Sequence, residues 1–190
     1  MQQDRRQRLR LIIRTAIIFL ISYIAFLVLW IQVKDYYGYA VTYVGSKIVM
    51  FIKDVRLEEI TEEGKDTLQA TFSPLRHKVD ILIDIPVKTS SYTFNAPLTL
   101  AIMAGLYSYL KKRGRAYLEG LLILLGVHLL YVFSLEAENL TMIFIDRGLE
   151  AVNKPKVFFY QFLWQFTDNM IIRFEPFLIG FYMFFRFGKG

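Results

Sequence analysis

The sequence predicts an integral membrane α-helical protein with four transmembrane helices, a small extracytoplasmic β-rich module and interfacial helices. Three observations predict this fold class. Of the 190 residues, 55% are hydrophobic and 16% are aromatic, which exceeds what an ordinary soluble domain contains. Apolar stretches recur at or near the length of about 20 residues that crosses a bilayer as a helix. Short basic clusters adjoin three of them, as is typical of cytoplasmic ends.

The composition restricts the classes of function. The chain has 23 basic and 17 acidic residues, and the basic ones lie beside apolar segments, so membrane topology accounts for them without a nucleic-acid partner. The absence of cysteine excludes disulfides, thiolate metal sites and cysteine nucleophiles. No HExxH, GxSxG, P-loop or GxGxxG motif occurs. We therefore expect one membrane domain over residues 1–190, with no metal, cofactor or nucleic acid.

The first predicted span is residues 11–31, which are almost wholly apolar. A signal peptide would have a shorter apolar core and a small-residue cleavage site, which residues 25–30 do not offer. We expect an uncleaved anchor with its N-terminus in the cytoplasm. The arginines that precede it are Arg5, Arg6, Arg8 and Arg10.

Residues 36–52 allow two interpretations. They contain Gly38, Gly45 and several tyrosines, and tyrosine favours the level of the lipid headgroups. The apolar part is short for a span. We prefer an interfacial helix, with a short span as the alternative.

Residues 53–94 are predicted to form the extracytoplasmic β-rich insertion. The charged residues of this region are solvent-like, with Gly64 at a turn; they are Asp54, Glu58, Glu59, Glu62, Glu63, Lys65 and Asp66. Residues 67–72 and 79–85 alternate apolar and polar positions, which indicates two strands with one covered face. Pro86 is expected to end the second strand.

The second and third spans are predicted at 96–110 and 117–133. Asn95 is a plausible N-cap and Pro97 fits a first helical turn. The basic cluster 111–115 between the spans belongs in the cytoplasm. Residues 139–154 mix apolar and charged positions, which favours an interfacial helix or lid. Both termini are then cytoplasmic, in a multi-pass protein of the inner membrane.

The fourth predicted span, 156–186, is strongly aromatic but carries polar groups at helical spacing. Gln161, Gln165, Asp168, Asn169 and Arg173 would share one helix face. Polar groups are costly against lipid, so we expect this face to be buried against the span that carries His128. Asp168 would be the acid nearest to His128 or Arg173. Pro176 is expected to loosen the helix near mid-membrane.

The candidate ligand-binding or partner-binding residues follow from this arrangement, and we expect no catalytic residue. They are His128, Asp168, Asn169, Arg173 and Glu175. A polar group within a span needs a partner, so a structural hydrogen bond between helices explains them as well as a ligand site does. Arg173 and Glu175 could instead lie at the outer surface.

Residues 90–136 resemble a known family. The stretch Tyr92–Ala101, which contains Asn95-Ala96-Pro97, precedes a span, then Lys111-Lys112-Arg113, then a leucine-rich span. This pattern resembles the exosortase/archaeosortase family of membrane transpeptidases, and most of all the small exosortase-associated membrane proteins. In the enzymes, a cysteine opens the helix that corresponds to 96–110, with an arginine and a histidine later. This chain has no cysteine, so no catalytic residue carries over.

The resemblance implies an accessory in a bacterial protein-sorting system. The leading hypothesis is a non-enzymatic, polytopic membrane accessory protein that binds an exosortase-type transpeptidase or an exported substrate tail. The alternative is a membrane enzyme or lipid-binding protein that uses a polar site between the third and fourth spans. The expected partners of this protein are the lipid bilayer and either a membrane protein or an exported substrate tail.

Overall fold

The computed structural model describes residues 2–75 and 81–188, and only the backbone of residues 2–8. The helices are α1 Gln2–Lys53, α2 Thr89–Thr93, α3 Ala96–Gly105, α4 Arg113–Asp146, α5 Lys154–Phe166 and α6 Ile172–Phe187. The strands are β1 Val55–Glu62, β2 Thr67–Pro74 and β3 Ile83–Lys88. A 3₁₀ turn, Leu106–Ser108, follows α3, and a π-helical segment, Thr167–Ile171, joins α5 to α6. The mostly helical prediction with a small sheet is confirmed.

Within the described residues, two helical stretches are long and apolar enough to cross a membrane, Leu9–Lys53 and Arg113–Asp146. They contain the first and third predicted spans. The second predicted span contains the ten-residue helix α3, which at about 1.5 Å per residue is roughly 15 Å long. That is about half of the hydrocarbon thickness. The fourth predicted span is interrupted by the π-helical segment, and four spans remain a prediction.

Residues 36–52 do not form the separate interfacial helix that we predicted, because they continue α1 without a break. Two glycines allow this part of α1 to approach its neighbours closely. A Cβ on Gly45 would lie 2.7 Å from Cγ1 of Val132 in α4, and one on Gly38 would lie 3.0 Å from Cβ of Thr89. The glycines are therefore explained by packing within a long helix. A turn between two helices is not needed.

The β-rich insertion contains three antiparallel strands in the order β1-β2-β3. The sequence analysis did not predict strand β1, Val55–Glu62, which pairs with β2. Its acidic residues are exposed, as expected of solvent-like positions, and they are Glu58, Glu59 and Glu62. The pairing register shifts between Leu57 and Glu59, which marks a β-bulge. The bulge adds a residue, so the covered positions lose the period of two that identifies a strand. The turn at Gly64 is confirmed, with a φ of +74°.

Strand β3 runs through Pro86 to Lys88, so the prediction that Pro86 ends the strand is wrong. Proline is tolerated there because β3 is an edge strand of this sheet. Ile83 and Ile85 are buried, as the alternation predicts, and the continuation of the strand beyond Pro86 also buries Val87. The start of the predicted strand, Val79 and Asp80, lies outside the described residues.

The chain divides into two compact units. The first unit comprises residues 1–33, 95–124 and 174–190, and the second comprises 34–94 and 125–173. The core of the first unit joins α3, α4 and α6, with Met103, Leu110 and Met183 fully buried. In the second unit, one core lies on the sheet, around Phe72 and Ile83, and another core surrounds Tyr92.

One end of the first unit brings together two of the predicted cytoplasmic segments. The Lys111 amide donates to the Phe187 carbonyl at 2.8 Å. The Glu119 carboxylate lies 2.8 Å from Nε of Arg115 and 3.0 Å from Nε of Arg186. Neighbouring arginines favour the ionised carboxylate, so Glu119 connects the start of α4 to the end of α6.

Candidate functional site

The second unit contains a row of buried polar side chains between α1 and α4, which we call the polar row. On α1, Thr42, Ser46 and Lys53 lie four and seven residues apart, which places them on one helix face. On α4, Glu136 bonds to Ser46 and Thr141 bonds to Lys53. Because the residue numbers increase together on both helices, α1 and α4 run parallel here. The members of the polar row are the half-buried Tyr37 and the buried Thr42, Ser46, Lys53, Tyr92, His128, Glu136 and Thr141.

His128 lies at one end of the polar row and is completely buried. Its Nδ1 is 2.7 Å from the hydroxyl of Tyr37 on α1. The rings of Tyr37 and Tyr92 meet the imidazole edge-on, with centroids 5.6 Å and 5.5 Å away. The histidine therefore bonds to a tyrosine of α1, a helix that the sequence prediction had not considered as its partner.

Glu136 lies two turns further along α4, and its side chain is also completely buried. The hydroxyl of Ser46 donates to Oε1 of Glu136 at 2.7 Å. The other carboxylate oxygen has no hydrogen-bond partner among the residues that the structure describes. The third predicted span ended at residue 133, whereas α4 continues to Asp146 and places Glu136 in the interior of the second unit.

Tyr92 on the short helix α2 connects the polar row to the sheet. Its hydroxyl donates to the Gly38 carbonyl at 3.0 Å and lies 3.1 Å from Oγ1 of Thr42. Burial raises the pKa of Tyr92, because the phenolate would be poorly solvated in this interior. The phenol is therefore a neutral hydrogen-bonding group at physiological pH.

The polar stripe predicted on the last helix does not form one buried face. Asp168 is half-buried, whereas Gln165, Asn169 and Arg173 are exposed. The irregularity that the sequence prediction placed at Pro176 lies earlier, at the π-helical segment 167–171. There the Ile172 amide bonds to the Thr167 carbonyl, five residues back, so the turn widens and the positions beyond it rotate relative to the preceding helix.

Two further polar groups flank this irregular segment within their own units. In the second unit, Oγ1 of Thr167 is buried and has no hydrogen-bond partner in the described part of the chain. In the first unit, Glu175 is completely buried, and its Oε1 accepts a hydrogen bond of 3.0 Å from Thr99 of α3. Glu175 is thus not the interfacial charge that the sequence also allowed.

The side chains of the polar row donate and accept hydrogen bonds. The described residues include no group of histidine, aspartate or glutamate side chains that could hold a metal ion. The sequence prediction identified His128 and missed Ser46, Tyr92 and Glu136. Glu136 follows His128 at a spacing of eight residues, which places the two side chains near the same face of a helix. That spacing could have indicated Glu136, whereas only the packing of α2 reveals Tyr92.

Comparison with known proteins identifies the family. A family model described as exosortase H-associated membrane protein matches residues 6–187. No curated protein and no solved structure matches the chain. The match extends well beyond residues 90–136, which carried the resemblance in the sequence. This chain therefore belongs to the family of exosortase H-associated membrane proteins.

Proposed function

We propose that the protein is a non-enzymatic accessory subunit that binds an exosortase of the H type in the inner membrane. The family match over residues 6–187 supports an accessory role with a membrane-protein partner. The observation that carries the proposal is a strip of exposed polar side chains on the aromatic final helices. We call Gln165, Asn169 and Arg173 the exposed polar strip.

The exposed polar strip is unsuited to lipid. A guanidinium at membrane depth costs about 2.5–3.5 kcal/mol even on the lenient insertion scale. The neighbouring Phe162 and Phe166 are exposed apolar rings, so the strip lies beside a surface that is otherwise suited to hydrocarbon. An acidic or amide side chain on a partner's transmembrane helix would satisfy Arg173 and the two amides. The strip is therefore the proposed contact surface.

The test is copurification of the tagged protein with the exosortase from the same organism, expressed together. Replacing Gln165, Asn169 and Arg173 with leucine should reduce the recovered partner at least tenfold, because loss of one hot spot of about 2 kcal/mol already weakens binding about thirtyfold. The abundance of the variant should be unchanged, because these side chains are exposed. Phe159→Ala, at an exposed position of the same helix, is the control.

Normal partner recovery by the triple leucine variant would contradict the proposed surface. Failure of the unaltered protein to recover an exosortase at all would contradict the accessory function itself. The second outcome would leave the family assignment unchanged, since that rests on the sequence match.

The proposal includes an arrangement in the membrane. Both termini face the cytoplasm, and residues 53–94 form an extracytoplasmic module within one membrane domain. This module is the part that an exported substrate tail would reach. The family does not specify these points, and they rest on the basic clusters of the sequence and the positive-inside rule.

A second candidate function is ligand binding or proton chemistry at the polar row. The complete burial of His128, Tyr92 and Glu136 in one unit favours it, since buried ionisable groups in membrane helices often mark functional sites. Glu136→Gln keeps an acceptor for Ser46 and removes the titratable carboxyl group. Loss of protein sorting by this variant, with normal abundance and normal partner recovery, would support the second function over the first.

A further inference from the structure

The second unit contains a cavity at the end of α1 that the accessory function does not use. Its volume is about 320 Å³. The walls come from the end of α1, the end of β2, the end of α4 and the start of α5. The lining residues are Ile52, Lys53, Asp54, Pro74, Phe144, Leu149, Glu150 and Lys156.

Lys53 is the unusual member of this wall because its side chain is 7% exposed. Its ammonium donates a hydrogen bond to Oγ1 of Thr141 and lies 3.5 Å from the centroid of the Tyr160 ring. Thr141 itself donates to the Ala137 carbonyl at 2.6 Å, so its hydroxyl presents a lone pair to the lysine. Both contacts of the ammonium are with neutral groups.

Among the described residues, no carboxylate lies within ion-pair distance of Lys53. The nearby Glu150 is bound by Lys156, the second ammonium on the same wall. Burial lowers the pKa of Lys53 to about 7, because its ammonium is poorly solvated and lies near Lys156. A bound anion would offset this cost and favour the charged form.

The position of Lys53 in the last turn of α1 explains why a basic residue is favourable there, but it does not explain why the side chain is buried. A cation at a helix C-terminus offsets the helix dipole, but an exposed lysine does this equally well. Lys47, one and a half turns earlier on α1, also lies near a tyrosine ring, 5.4 Å from that of Tyr43, and remains partly exposed. Lys53 is thus held in the interior by Thr141 and Tyr160, beside a cavity.

We propose that this cavity binds the carboxylate group of an acidic ligand, with the ammonium of Lys53 as its main partner and Lys156 in support. The acidic Asp54 and Glu150 on the same wall would repel a doubly charged phosphate, which favours a singly charged carboxylate. Ile52, Phe144 and Leu149 offer apolar contacts to the remainder of the ligand. The carboxylate could come from a small free acid or from an apolar acyl chain.

The test is protection of lysine side chains from an amine-reactive reagent in the detergent-purified full chain, read by mass spectrometry. The probes are octanoate, acetate and the uncharged octanol. A carboxylate at about ten times its dissociation constant should slow modification of Lys53 about tenfold by mass action and leave Lys47 unaffected. Protection by octanoate alone assigns an apolar acid, and equal protection by acetate assigns a small free acid.

Two variants complete the experiment, with the melting temperature in detergent as a second readout. The protective acid should raise the melting temperature of the unaltered protein and of Lys47→Met, and should leave that of Lys53→Met unchanged. Should Lys53→Met fail to fold, Lys53→Arg keeps the charge and should retain the response.

Several results would overturn the proposal. They are absence of protection by either acid, equal protection of Lys47 and Lys53, an equal effect of octanol, and a full response by Lys53→Met. None of these outcomes affects the copurification test. The ligand-binding proposal and the accessory function can therefore be refuted independently.

Discussion

Individual residues show how closely α1 and α4 pack in the second unit. Ser46 and Glu136 form a buried hydrogen bond of 2.7 Å next to Gly45, whose neighbour on α4 is Val132. Small residues at such positions allow two backbones to approach, which is a common way to associate helices where lipid weakens the hydrophobic driving force. The Ser46–Glu136 hydrogen bond and the small Gly45 therefore both contribute to the same close contact between α1 and α4.

Gly45→Ala should destabilise the protein by about 1–3 kcal/mol, because the new Cβ would lie 2.7 Å from Cγ1 of Val132 and force the helices apart. Gly126→Ala on α4 is the matched control, since nothing lies within 4 Å of its Cβ position. That change should stabilise the helix by up to about 1 kcal/mol. Denaturant titration in detergent measures both, and equal stability of the two variants would refute the close packing.

At the scale of elements, the small sheet depends on one covered face. Ile83 and Ile85 of β3 are each 1% exposed and pack with Phe72 of β2 in one core. Asp84, between them, is exposed, and the hydroxyl of Thr71 donates to its carboxylate at 2.8 Å. The alternation of burial along β3 is the pattern expected of a strand that packs on one side.

Ile83→Asp should destabilise the protein by more than about 3 kcal/mol, because it places an unpaired charge in the core of the second unit. Asp84→Asn should change stability by less than about 0.5 kcal/mol, since an amide oxygen can still accept from Thr71. The melting temperature in detergent distinguishes them. If both variants melt like the unaltered protein, the covered face is assigned wrongly.

The π-helical segment is the other element with a distinctive role. Of the exposed polar strip, Gln165 precedes Thr167–Ile171, Asn169 lies within it and Arg173 follows it. Such segments in helices frequently occur at functional sites. All three side chains are exposed, although helical spacing had predicted that they share a buried face.

At the scale of the whole molecule, the proposed topology follows from the basic clusters. Within the first unit, the segments 110–115 and 186–188 meet at one end. The start of the first span reaches the same neighbourhood, since Oγ1 of Thr15 lies 3.5 Å from the Tyr109 hydroxyl. Three basic ends on one side are what the positive-inside rule expects of a cytoplasmic face.

Single cysteines at Lys65 and Gly114 test this topology, because the chain has no native cysteine. Both positions are exposed, so substitution should leave the fold unchanged. A membrane-impermeant thiol reagent added to intact cells should label Lys65→Cys and should label Gly114→Cys only after the membrane is opened. Labelling of both from the outside would exclude the proposed arrangement.

The sequence by itself determined what depends on composition and local pattern. Long apolar runs predicted the helices that contain residues 11–31 and 117–133, because the cost of exposing backbone polar groups to lipid forces such runs into helices. The turn at Gly64 and the alternation at Ile83 and Ile85 were readable for similar local reasons. The family resemblance was recognisable because it lay in a short contiguous stretch.

Only the tertiary structure decided where local patterns are interrupted or where contacts come from distant residues. The bulge at Leu57 and Glu59 hides β1, since it shifts the alternation by one position. The π-helical segment interrupts the last predicted span, and the polar face expected there to be buried is exposed at Gln165, Asn169 and Arg173. The burial of Lys53 and Glu136 depends on partners 88 and 90 residues away, at Thr141 and Ser46. No periodicity within one segment contains that information, because burial is a property of the packed helices together.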